Sequence, residues 1–232
     1  MTDDADVLGQ YPDKRLPDRV HAIARAGVGS IPIAGAAAQV LFEEVLPSAL
    51  ERRRDAWFGV LGGLVDDLHG RFEEFDPASL AENELFLSAA FEASRIAMGT
   101  HLESKLDLLK NCLAKLALPN DIDDFVALRF LGFVDELSPE HFVVLAYATD
   151  PTGWFEAKRL DRPNVMTGPR RAIADAAGLP VEGEVLAIVL RDLGQHALAT
   201  PDMLSGMVSE SGLWDPWATD LGRLLLGFVE EF

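Results

Sequence analysis

Apolar residues recur at three- and four-residue spacing along most of this chain, punctuated by Gly and Pro, which predicts a succession of helices. Residues 1–16 break that rule: Gly9 and Pro12 interrupt a stretch without periodicity, and a mobile lead-in is expected. Pro17-Asp18 opens a short helix through Val20, Ile23 and Ala24, closed by Gly27 and Gly29. Ser30-Ile31-Pro32 is a break, because proline disfavours helix at the residue before it and suits a first helical turn. A second helix is expected over Ile33–Leu46, with Gly35, Ala36 and Ala38 as small residues on one side. From Ser48 to about Phe75, Leu50, Trp57, Leu61, Leu64, Leu68 and Phe72 form one helical stripe. Gly59, Gly62 and Gly63 weaken that helix and suggest a neighbour approaching closely.

Asp76-Pro77 ends this segment, and Asn83 reads as the cap of a long helix, Glu84–Leu118. Straight, it would measure about 50 Å, so a bend near Gly99 is expected. After Pro119-Asn120 the pattern predicts an apolar helix Ile122–Leu137 carrying Phe125, Leu128, Phe130, Leu131, Phe133 and Val134. Ser138-Pro139 starts a helix over Glu140–Ala148. Pro151, Gly153, Pro163 and Gly168 make 149–168 a long loop. Helices are expected at Pro169–Ala177 and Glu184–Ala197, short strands at 207–209 and 212–214, and a last helix, Leu221–Val229, capped by Thr219-Asp220. Together these elements predict an all-α fold: a helical bundle over 17–120, then a second helical domain over 121–232 with a small β-hairpin.

Composition narrows the chemistry. Asp and Glu number 38 against 20 Lys and Arg, a net charge of -18. Nucleic-acid binding is driven by Lys and Arg displacing counterions, so this balance disfavours it. A single cysteine, Cys112, rules out an internal disulfide framework and any multi-cysteine zinc site. The acidic start, Met-Thr-Asp-Asp-Ala-Asp, lacks the basic and apolar regions of a secretory signal. The most apolar early run, Ile31 to Phe42, is about 12 residues where a membrane helix needs about 20. A cytoplasmic location is the expectation. Arg outnumbers Lys 15 to 5 in a chain rich in Ala, Gly and Asp, a composition of bacterial character.

The order of elements in the second half resembles a winged helix of the MarR type, on the segments "LSPEHFVVLAYA" (137–148), "VLRDLGQHALA" (189–199) and "TDLGRLLLGFV" (219–229). In that family these stand for the second helix, the end of the recognition helix leading into the wing, and the helix after the wing. The run "SIPIAGAAAQVLFEEVLPSALERRRDAWFGVL" (30–61) resembles a group of bacterial helical proteins, which implies architecture and no particular activity. A winged helix implies DNA binding, yet residues 121–232 hold 8 basic and 19 acidic side chains. Glu182 and Glu184 stand where a recognition helix would present Arg, Asn or Gln to base edges. A winged helix turned to protein contact fits that charge better.

Catalytic and metal motifs are not found. His21, His69, His101, His141 and His196 are scattered, with neither His-Glu-x-x-His nor paired Glu-x-x-His spacing, and Asp66 with His69 makes only a two-ligand pair. Cys112 lies between Leu109 and Leu113 as a small hydrophobe, and no Gly-x-Ser-x-Gly elbow exists. Gly27-Val-Gly29 lacks the rest of a phosphate loop. No catalytic residue, metal or cofactor is expected. Arg52, Arg53 and Arg54 spread around a helix between Glu51 and Asp55 and make no single basic patch.

Two features remain as candidate sites. Trp214, Trp217, Phe228 and Phe232 offer either an interaction surface or core packing. Gly27, Gly29, Pro32 and Gly35 offer a close-packed crossing, or a hairpin over 27–46 that enters a membrane when triggered. The expected function is a non-enzymatic interaction or regulatory protein, with a protein partner or a second copy of itself. The alternatives are a membrane-acting helical effector of toxin or defence type and a winged-helix transcription regulator.

Overall fold

A computed structural model describes residues 46–200 and 206–230. The chain divides between Asp55 and Ala56 into two units. Of the first unit only residues 46–55 are described; they are helical, with Arg54 paired to Asp55 at 3.3 Å and Arg52 Nη1 donating to Ser48 Oγ at 3.4 Å. The expected lead-in and the helices before Leu46 lie outside the described residues.

The second unit is mostly helical, with one small antiparallel sheet. Helix α1 (Leu46–Arg71) runs on from the boundary to a 3-10 turn, Pro77–Glu82. There follow α2 (Glu84–Gly99), α3 (Glu103–Ala117), α4 (Asp124–Glu136), α5 (Pro139–Thr149) and α6 (Pro151–Lys158). Strand β1 (Thr167–Pro169) precedes the single turn α7 (Arg171–Ala174) and α8 (Gly183–Gln195). Strand β2 (Met207–Ser209), α9 (Glu210–Trp214) and α10 (Asp220–Val229) complete it.

Two caps read from sequence do what their chemistry predicts: Asn83 Oδ1 accepts the Phe86 N–H at 2.9 Å, and Thr219 Oγ1 accepts from Gly222 N at 3.0 Å. Asp123, which the pattern did not mark, caps a third helix by accepting from Phe125 N at 2.9 Å. Each satisfies an amide at a helix start that has no partner within the helix. At Trp57 the indole N–H donates to Ser94 Oγ at 2.9 Å, fixing α1 on α2.

Three expectations are corrected. The long helix 84–118 does not bend but breaks: Thr100 is extended (φ -106°, ψ 152°) and its Oγ1 accepts the Leu102 N–H. The chain then folds back, so that Asn83 at the start of α2 donates to the Leu116 carbonyl near the end of α3. A straight rod would leave the Ala89, Ala93 and Ile96 side of α2 without cover, whereas the hairpin buries it with Leu109, Cys112 and Leu113 of α3. Residues 151–158 are helix, not loop, because Asp150-Pro151 is a cap and a first-turn proline; Asp150 Oδ1 accepts from Gly153 N at 2.8 Å. Residues 212–214 are helical, and β2 pairs instead with β1, Gly168 opposite Val208. Among the described residues nothing stands within 4 Å of a Cβ built on Gly59, Gly62 or Gly63, so no described helix approaches closely there. Gly62→Ala and Gly63→Ala are therefore each expected to raise stability by about 0.5–1 kcal/mol, measured by urea denaturation; a loss would reveal a neighbour.

One core runs from Trp57 to Val229. Across 119–121, where the order of predicted elements places a domain boundary, it is continuous: buried Asn111 of α3 donates from Nδ2 to the Val229 carbonyl of α10 at 2.9 Å. Cys112 beside it is fully buried, and burial pushes its thiol well above the ordinary range. It should resist thiol-disulfide reagents at neutral pH and release one equivalent only on unfolding. Because the thiol ionises readily only in the unfolded chain, its contribution to stability is present at neutral pH and lost as pH rises past about 8.5.

Candidate protein-interaction surface

Helices α2 and α4 lie side by side and run in the same direction, since Arg95 near the end of α2 is paired with Asp135 near the end of α4. Their inner faces supply core: Ala89, Ala93 and Ile96 from one, Ala127, Phe130, Leu131 and Val134 from the other. Their outer faces are also apolar. Leu87 and Phe91, four apart on α2, and Phe125 and Leu128, three apart on α4, are all exposed, Phe91 at 76% and Phe125 at 75%. Leu87, Phe91, Leu128 and Gly132 line an open groove of about 600 Å³ between the two helices. The two rings leave about 300 Å² of aromatic surface in water, within the range of the largest patch on a typical monomer.

Charge is unevenly distributed along this face. At its N-terminal end Glu84 and Asp124 are exposed, with Asp121 just before α4. Arg129 at the middle of α4 and Arg95 nearer the C-terminal end of α2 each stand beside carboxylates. Arg95 is shared between Glu92 and Asp135, and Arg129 lies 4.4 Å over the Phe133 ring and 3.8 Å from Glu136. Both remain about half exposed.

The apolar pattern includes Phe125 and Leu128 in the helix over 122–137 without assigning them a face, and it does not mark Leu87 or Phe91. The available signal was a second apolar stripe on α2, opposite Ala89 and Ile96, in a helix whose first stripe already sufficed for the core.

The residues that sequence singled out fall elsewhere. Trp217 (3% exposed) and Phe228 (6%) are core, a correction to the surface reading: Trp217 packs edge-on to Tyr147 at 6.0 Å, and Phe228 against Phe130 at 5.4 Å. Trp214 is half-buried, edge-on to Phe155 at 5.2 Å with the Arg162 guanidinium 5.0 Å over its ring. Phe232, like Gly27, Gly29, Pro32 and Gly35, lies outside the described residues.

Helix α8, in the recognition position of the winged-helix reading, exposes Glu184, Val185, Ile188, Arg191 and Gln195 on one face, with Glu182 at its cap. Arg171, close to its start, donates to the Gly183 carbonyl at 3.0 Å. That face offers carboxylates and aliphatic side chains in place of a row of cations.

One arrangement invites a chemical reading. Ser138 Oγ stands 2.9 Å from His141 Nδ1, and His141 Nε2 stands 3.3 Å from Asp192 Oδ2. His141 Nδ1 also accepts the Ser138 backbone N–H at 3.2 Å, so its one lone pair closes the helix cap and the Nε2 hydrogen donates to Asp192. The row locks α5 to α8. His196 Nε2 makes a second link of this kind, 3.5 Å from Glu136. Among the described residues no group of three His, Cys, Asp or Glu converges as for a metal, and no helix is long and apolar enough to cross a membrane. No family model, curated protein or solved structure matches the chain.

Proposed function

We propose that this chain is a non-enzymatic interaction or regulatory protein that works through protein contact. The observation that carries this reading is the exposure of Leu87, Phe91, Phe125 and Leu128 on α2 and α4, apolar side chains left in water about the groove between two helices, as a contact surface would leave them. The order α5, β1, α7, α8, β2, α10 supports a winged-helix-like second half used for packing and protein contact. Its carboxylates at Glu182 and Glu184 and its excess of acidic residues weigh against a DNA-reading role. A location in the cytoplasm of a bacterium accords with the composition.

The test is capture of interacting proteins from native-host cells by the full chain, set beside its Phe91→Asp and Phe125→Asp variants. The expected result is a specific partner, this chain included, lost from both variants while their circular dichroism stays unchanged. An identical set of captured proteins from all three would sink the reading.

A further inference from the structure

We draw no further inference here: the strongest candidate, the open apolar groove between α2 and α4 lined by Leu87, Phe91, Leu128 and Gly132, belongs to the surface already described, and nothing in the structure shows what covers it.

Discussion

Gly222→Ala should cost about 3 kcal/mol or more and lower the melting temperature by roughly 6–12 °C, although it adds only one methyl group to a helix. A Cβ at this position would stand 2.2 Å from the Leu198 carbonyl oxygen and 3.1 Å from Leu145 Cδ1. A side chain can swing away from such a clash, but the Leu198 carbonyl is held. It accepts the Thr219 N–H at 3.0 Å and the Thr219 hydroxyl at 3.1 Å, the bonds that set α10 on the turn after α8. Relief therefore means lifting the start of α10, with Leu225, Leu226 and Phe228, off the core. Gly227, five residues along the same helix, has nothing within 4 Å among the described residues, so Gly227→Ala should be neutral or stabilising by about 0.5–1 kcal/mol. Urea denaturation of the two variants measures the contrast. Equal effects would show that α10 does not sit on Leu198 as described.

Trp217→Ala should destabilise by about 3–5 kcal/mol, the cost of emptying a large aromatic site in a packed core. Its ring meets Tyr147, which lies edge-on between Trp217 and Trp154 at 6.0 and 5.9 Å. Burial holds the Tyr147 phenol well above its ordinary pKa. The Trp217 backbone is committed too. Its N–H donates to the Ala148 carbonyl at 2.9 Å, and its carbonyl accepts from Thr200 N and Oγ1 at 3.0 and 2.9 Å. The variant should lose the near-ultraviolet aromatic signal along with stability. Were Trp217 an interaction residue, alanine would leave the melting temperature unchanged and affect only association.

The elements legible from sequence were those whose ends carry local chemistry. Asn83, Ser138-Pro139 and Thr219 mark helix starts because a side chain or a fixed φ acts on amides within three residues of it. The same logic applied to Asp150-Pro151 would have found α6; proline was read there as an interruption when it was a first turn. The break at Thr100 was only half visible. Gly99 lowers the cost of leaving the helix, but whether the chain bends or reverses depends on what the Ala89, Ala93 and Ile96 side can be buried against.

The candidate site was the least legible part. Periodicity identifies Leu87 and Phe91 as one stripe and Ala89 and Ile96 as another, and gives no reason to prefer either as the buried one. The same holds on α4, where Phe125 and Phe130 are both phenylalanines in a single apolar run, yet one is exposed and the other is core. Conversely, the aromatics gathered near the C-terminus leave surface and core both open in sequence, and Trp217 and Phe228 point inward.

By itself the sequence determined the helical character of the chain, the places where most helices begin, and the acidity that argues against phosphate binding, since each follows from residue type and short-range spacing. The tertiary structure alone decided that β2 pairs with a strand some 40 residues earlier, that α2 and α3 form a hairpin, and which apolar stripe stays in water. Burial is a property of the neighbours that arrive from elsewhere in the chain, and no local pattern encodes their positions.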